Sequence, residues 1–465
     1  MKPPRRIPFT AVSSRTRASD VRPVASARSA AVALAVLALL GSVSFADAQP
    51  RPSRPLFGGA AAPAEGRQAL DLTLTFAGGY DDDAFAEAVG LGRTTGLLSG
   101  FFGALAGDLR YALRGRRVRL AANLGSSLRY FADPGEVVPV GHYAGVGFSL
   151  ALGSRTTLSF NQAASHTPSP LYGLFARAAI AEIGAIVPPG TDYAIADVRS
   201  YTYASTVNLT RRAGRRGTIS VASGYRRMFS DGDLTLPVAV GFPSLTAFDV
   251  GGSYSHGLSR DLSLRLGYTY RQAEYAERLR PRYHDLDIGI DYNRPLSRSR
   301  RTRLGFGVGS AIAEEPLPGS LAETTVRQYR ARAHVSLIHQ MGRTWTARAD
   351  YRRGGQFVEG LASPLYTDGV TLGLDGFLTR RADLSASAAY SAGDGWGLVS
   401  APFETYTGTL RLRVGLTRAL AAHAEYLFYH YDFARAPELL PFGPRRLDRH
   451  GVRVGLSVWV PIVAR

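Results

Sequence analysis

The chain has 465 residues, no cysteine, 51 glycines, 23 tyrosines and a formal net charge of +18, carried almost wholly by arginine because Lys2 is its one lysine. Absence of cysteine excludes a disulfide framework, and a mean hydropathy of −0.06 excludes a bundle of apolar membrane helices. The arginines are spread along strand-like segments and short turns, with no basic helix or nucleic-acid motif, so nucleic acid is not an expected partner.

The N-terminus is basic through Arg28, and an apolar run, AAVALAVLALLG at 30–41, follows it. Ala46-Asp47-Ala48 then supplies a small-x-small site before Gln49. This order reads as a secretory signal peptide over 1–48, cleaved on export, with a core too short to span a bilayer as a helix. Arg5-Arg6 raises twin-arginine export as an alternative route, although the pair lies far from the apolar run. Residues 49–68, rich in Pro, Gly and Ala, read as a flexible lead-in.

From residue 69 to 465 the chain alternates at period two. Eighteen strand-like segments begin near residues 69, 99, 117, 140, 155, 198, 216, 245, 261, 282, 302, 325, 343, 366, 382, 402, 419 and 449. Their connections alternate in length. Short ones include LRGRR (113–117), LSRD (258–261), LTRRAD (378–383) and LTRAL (416–420); long ones include 80–97, 168–197 and 434–448. Tight turns on one side and larger loops on the other are the pattern of a transmembrane barrel. The predicted fold is therefore all-β, a transmembrane antiparallel up-and-down β-barrel of about 18 strands. A soluble sandwich or solenoid also gives alternation, but not eighteen long strands with strictly alternating connection lengths.

The faces can be assigned strand by strand. In the stretch TLRLRVGL (409–416), Leu410, Leu412, Val414 and Leu416 point one way and Arg411 and Arg413 the other. Leu262, Leu264, Leu266, Tyr268 and Tyr270 oppose Arg265 and Arg271 in the same manner. So do Tyr329, Ala331, Ala333 and Val335 against Arg330 and Arg332, and Val452, Val454 and Leu456 against Arg453. An arginine on the lipid side at mid-depth costs ~2–4 kcal/mol and on the lumen side little, so the arginine face is expected inside. Tyr426, Phe428, Tyr429 and Tyr431 near a strand end suit an aromatic girdle at the headgroup level.

On these features the chain resembles Gram-negative outer-membrane β-barrels. More narrowly it resembles the β-barrel porins associated with exopolysaccharide or envelope loci, on the first strand, DLTLTFAGGYDDDAF (71–85), which ends in Gly-Tyr-Asp-Asp. The resemblance implies the outer membrane as location, with outer-membrane lipid and the barrel-insertion machinery as partners. It implies passive passage of small solutes, or export of an anionic polysaccharide, with anionic solutes or polysaccharide as further partners. The alternative is a structural or adhesive barrel plugged by its loops. Such barrels commonly end on an aromatic residue; this sequence ends SVWVPIVAR, with Trp459 six residues before the end.

The expected pore-lining residues are Arg265, Arg271, Arg330, Arg332, Arg348, Arg411, Arg413, Arg453, Asp350 and Glu425, with Asp285, Asp287, Asp291 and Asp375 as further acids. One reading is a positively biased aqueous lumen; the other is a set of ion pairs that stiffen a wide barrel. The longest loop, 169–196, carries Leu171, Phe175, Arg177 and Glu182 in an apolar stretch ended by Pro188-Pro189. It is expected either to fold into the lumen as a constriction or to cap the outside.

No enzyme is expected. Ser253, Ser255 and His256 lie close in sequence, but no G-x-S-x-G elbow is present. Gly305, Gly307 and Gly309 lie two apart on one strand face and suit close packing or lumen space, with no following helix to cradle phosphate. His423 and Glu425 share a face, yet two ligands do not make a metal site. Asp81-Asp82-Asp83 reads as a calcium ligand set or, more plainly, a solvated acidic turn. No cofactor or metal is expected.

Overall fold

The structure is a computed structural model that describes residues 56–58, 68–82, 100–131, 140–167, 199–231, 244–275, 280–292, 294–295, 302–316, 325–342, 344–357, 365–395, 402–433 and 446–464. All belong to one unit, 51–465. Residues 1–48, expected to be a signal peptide, and the 169–196 loop lie outside the described residues. No helix among the described residues is long and apolar enough to cross a membrane.

The strands follow one another around a single closed sheet. They are β1 (Gln68–Asp81), β2 (Gly100–Arg114), β3 (Val118–Phe131), β4 (Val140–Ala151), β5 (Thr156–Thr167), β6 (Arg199–Ala213), β7 (Gly217–Asp231), β8 (Leu245–Gly257) and β9 (Leu262–Tyr275). Then come β10 (Arg282–Tyr292), β11 (Arg294–Pro295), β12 (Thr302–Pro316), β13 (Thr325–Met341), β14 (Trp345–Gln356) and β15 (Leu365–Phe377). The last four are β16 (Ala382–Gly395), β17 (Phe403–Gly415), β18 (Leu420–Asp432) and β19 (Arg446–Ala464). β11 is a two-residue continuation of β10 along the same neighbour, β12, so the barrel has eighteen staves, as the alternation predicts. The register with β12 shifts by two residues between Leu286↔Ser310 and Arg294↔Leu304, the mark of a bulge in this stave.

Every stave is antiparallel to both neighbours, and β1 pairs with β2 on one side and β19 on the other. The closing ladder runs from Ala69↔Ala464 to Asp81↔Gly451, with one register shift between Leu70 and Asp71. Pairing the first strand with the last removes the two terminal edges of the sheet.

The short connections form one rim and repeat one turn. At 258–261, 378–381 and 416–419 the leucine N–H donates to the carbonyl four residues on. The hydroxyl of Ser259, Thr379 or Thr417 accepts the two N–H groups that re-enter the sheet. Gly214 and Gly342 take positive φ, 78° and 65°, in two other short turns, a conformation that suits glycine.

One face of the sheet is apolar and open. Phe76, Leu105, Leu124, Val146, Val207, Val221, Val250, Leu266, Ile288, Val308, Leu410, Leu412, Val454 and Leu456 are all exposed on it. This continuous band has no packing partner among the described residues. Contacts that skip neighbouring strands identify the opposite face as the concave one. Arg332 on β13 reaches Asp285 on β10 past β12, and Arg271 on β9 donates to the Gly355 carbonyl on β14 at 3.5 Å. The tyrosine cluster corrects one expectation. Tyr426 and Phe428 point outward, but Tyr429 and Tyr431 point inward and are buried, 4% and 1% exposed. Trp459 shares the inward register of Thr73 and Ser457, so it adds nothing to an outer girdle.

Candidate functional site

The ladder registers decide which face each side chain takes. Ser255↔Arg265↔Gly289 and Asp249↔Arg271↔Tyr283 join β8, β9 and β10. Ala311↔Arg330 and Gly309↔Arg332 carry that face across β12 and β13. Ser336↔Asp350↔Thr371 and Ile338↔Arg348↔Gly373 carry it to β15. Ser385↔Arg411↔Glu425↔Arg453 and Asp383↔Arg413↔His423 complete it. All ten residues named as pore-lining therefore share the inward face, opposite the open apolar band. Leu171, Phe175, Arg177 and Glu182 lie outside the described residues.

The inward arginines divide into two groups. Arg265 bonds Asp287 at 2.8 Å and Asp291 at 3.0 Å. Arg271 and Arg332 both reach one oxygen of Asp285, each at 3.1 Å, with the Asp285 side chain 5% exposed. Arg413 bonds Asp383 at 2.9 Å, and Arg453 bonds Glu425 at 2.8 and 3.1 Å. These five fit the stiffening network. Arg330 instead stacks on the Tyr366 ring at 5.3 Å and donates to Gln328. Arg330, Arg348 and Arg411 make no ion pair among the described residues, and neither does inward Arg352.

Glycine makes room for the network. A Cβ on Gly307 would stand 2.6 Å from the Arg265 guanidinium and crowd the His334 ring. The 305–309 glycines thus serve the close packing that their spacing suggests. Gly373, opposite Arg348, has nothing within 4 Å of a Cβ position, so the wall beside Arg348 is open.

The lumen wall is electrically sided. The inward residues of β4 and β5, including Gly145, Gly147, Asn161 and Ala163, carry no charge, and β6 adds only Arg212 at its end. β14 stands nine places from β4 among the eighteen staves, so its Arg348 and Arg352 face that small, neutral wall across the barrel.

A second feature is visible only in the fold. β13 and β14 part after Ala333↔Arg353, although β13 runs on to Thr325. Beyond that point β14 pairs with β15 alone, through Gly354, Gly355 and Gln356. The hairpin end leaves the wall and leans inward. Phe357 packs on Met228, Leu245 and Ala273 of β7, β8 and β9, and on Tyr283 of β10. The Tyr366 hydroxyl donates to the Ala331 carbonyl across the parted strands. The inward span thus lies at the long-connection end of β14, outside the 169–196 loop. The Gly354-Gly355 pair at a strand end, followed by Phe357, is the signal that sequence reasoning passed over.

Other candidates lose their chemistry. Ser255 points inward and His256 outward, where its ring meets the Tyr254 hydroxyl at 3.1 Å. Asp81 pairs with Arg449, and Asp82 accepts the His450 N–H at 2.5 Å, so two of the three acids are held by β19; Asp83 lies outside the described residues. No group of three metal-ligating side chains forms among the described residues. An apolar notch of about 380 Å³ near Gly408, Leu410, Tyr426, Phe428 and His450 opens beside the outward face.

No protein-family model matches the sequence, and no curated protein matches it. Among solved structures the chain is similar to three barrels of Pseudomonas aeruginosa. OprD matches at 11% identity and a TM-score of 0.38, over 85% of this chain and 96% of that one. OccK9 (OpdG) matches at 13% and 0.40, over 85% and 98%. The outer membrane protein OpdK matches at 9% and 0.37, over 84% and 99%. At these values the likeness supplies no residue correspondence, and the reading of the site rests on this chain's own geometry.

Proposed function

We propose that this chain is a porin-like channel of a Gram-negative outer membrane, exported by the 1–48 signal peptide and inserted as a barrel. Small anionic solutes, or an anionic polysaccharide on its way out, pass along the arginine side of the lumen. The observation that carries this reading is one closed sheet with an exposed apolar band outside and, inside, Arg330, Arg348, Arg352 and Arg411, which make no ion pair among the described residues. Lipid is the environment that such a band suits, and an uncompensated cation in a water-filled lumen favours anions. The β14 side would guide them against the neutral β4–β5 wall.

Phe357 favours a second reading, a barrel held shut as a structural element, because the inward hairpin already spans part of the lumen. Conductance separates the two. The refolded chain from Gln49 is placed in a planar bilayer across a salt gradient. A stable step with an anion-selective reversal potential is the expected result; a folded, inserted barrel without conductance supports the closed reading, and cation selectivity refutes the anion path.

A further inference from the structure

The short-turn rim holds an occupied peptide site. Two of its turns, 378–381 and 416–419, have the same construction and stand on consecutive hairpins, β15–β16 and β17–β18. Each presents the carbonyl of its third residue, Arg380 or Arg418, away from its own hydrogen bonds. The Leu56 N–H donates to the Arg380 carbonyl at 2.7 Å, and the Gly58 N–H donates to the Arg418 carbonyl at 3.0 Å. The two donors, two residues apart on one bent segment, thus reach two separate turns. Gly58 has φ +62°, which turns the chain away just past the second bond.

Between those two bonds Phe57 drops to the lumen side. It is 7% exposed. The Arg413 guanidinium lies over its ring at 5.3 Å, and Arg413 is at the same time bonded to Asp383. A Cβ on Gly415 would stand 3.3 Å from the Phe57 Cβ and backbone N, so the glycine leaves the space that the segment fills. The site thus has two backbone acceptors, a glycine floor and a cation above the ring. A guanidinium over an aromatic face is a favourable cation–π contact.

We propose that Leu56-Phe57-Gly58 is a built-in clip at the short-turn mouth. It covers Arg413 and narrows passage there, with the two twin turns as its receptor. The proposal rests on the channel reading for its effect on conduction and stands on contacts alone for docking.

The chain has no cysteine, so one engineered pair can be read without background. The Phe57→Cys/Gly415→Cys variant sets two β-carbons within a few tenths of an ångström of the 3.5–4.5 Å that a disulfide needs. It should cross-link on mild oxidation when folded and not when urea-unfolded. Conductance should stay low while the bond is intact and rise on reduction. The variant lacking 51–60 and the Phe57→Ala variant should both show larger unitary steps than the parent. A synthetic peptide of residues 54–60 added on the short-turn side should restore the parent step in the deletion variant. Absence of the cross-link in the folded barrel overturns the docking. A cross-link with parent and deletion steps equal overturns the narrowing. A cross-link with no conductance in any form, deletion included, supports the docking and refutes the channel reading instead.

Discussion

The Arg449 guanidinium, near the start of the last strand, makes a two-bond ion pair with the Asp81 carboxylate at the end of the first, and the two side chains are only 2% and 4% exposed. The pair sits where β19 closes on β1, 368 residues apart in the chain. Breaking one partner leaves a buried charge, which costs about 3–5 kcal/mol. Asp81→Ala should therefore lower the temperature at which the folded band converts to the unfolded one in a heat-modifiability gel by many degrees. Arg446→Ala removes an exposed contact to Asp448, with side chains 65% and 47% open, and should change it little, since such pairs contribute about 0–1 kcal/mol. Equal shifts for the two variants would remove Arg449–Asp81 as the clasp of the seam.

The two faces of β17 predict opposite tolerance. Leu412 is 37% exposed on the apolar band, and an arginine there costs ~2–4 kcal/mol in lipid. Arg411 has no ion pair among the described residues, and its neighbour Glu425 keeps Arg453. Leu412→Arg should cut assembled barrel sharply in a vesicle-folding assay, whereas Arg411→Leu should fold close to parent yield. Similar yields would show that the faces are misassigned.

Gly307 and Gly373 offer a paired packing test. Gly307→Val should displace Arg265 from its two aspartates and cost about 1–3 kcal/mol, the range for an overfilled site. Gly373→Val should fall within about 0.5 kcal/mol of the parent, because its Cβ position is open. Thermal or urea melts of the two variants measure the difference.

Selectivity should track the arginines without ion pairs. Arg348→Glu reverses a charge beside the open wall at Gly373 and should move the reversal potential toward cations with little change in melting temperature. Arg265→Gln leaves Asp287 and Asp291 without their guanidinium and should lower melting temperature more than it moves the reversal potential. If both variants shift only stability, the lumen arginines are a scaffold.

Phe357→Ala removes the ring that reaches β7–β10. A channel narrowed at that level should gain conductance, and a fully closed barrel should begin to conduct. An unchanged step in bilayers would place the narrowest section elsewhere.

Much of this was legible in the residues. Period-two alternation gives the inward or outward direction of each side chain by parity alone, so Leu410 and Arg411 could not share a face. Eighteen segment starts fall within three residues of the strands, because short turns such as LSRD and LTRAL end a strand abruptly. The tyrosines at 429 and 431 were misread because aromatic residues mark a strand end without marking a side, and parity, applied to them, would have turned them inward.

Register between distant strands is another matter. Whether Arg265 meets Asp291, or Asp285 is held by Arg271 and Arg332 together, depends on barrel stagger, which accumulates over every hairpin and is written in no single segment. The pairing of Arg449 with Asp81 exists only once the sheet closes. The inward lean of the β14–β15 hairpin and the seat of Phe57 are decided by the concave surface, where strands far apart in sequence come within contact distance. The sequence by itself determined the strands, their number and their two faces, because those follow from local stereochemistry. Only the tertiary structure decided which inward charges cancel, which stay open and what lies across the two ends of the lumen, because those depend on distances between strands.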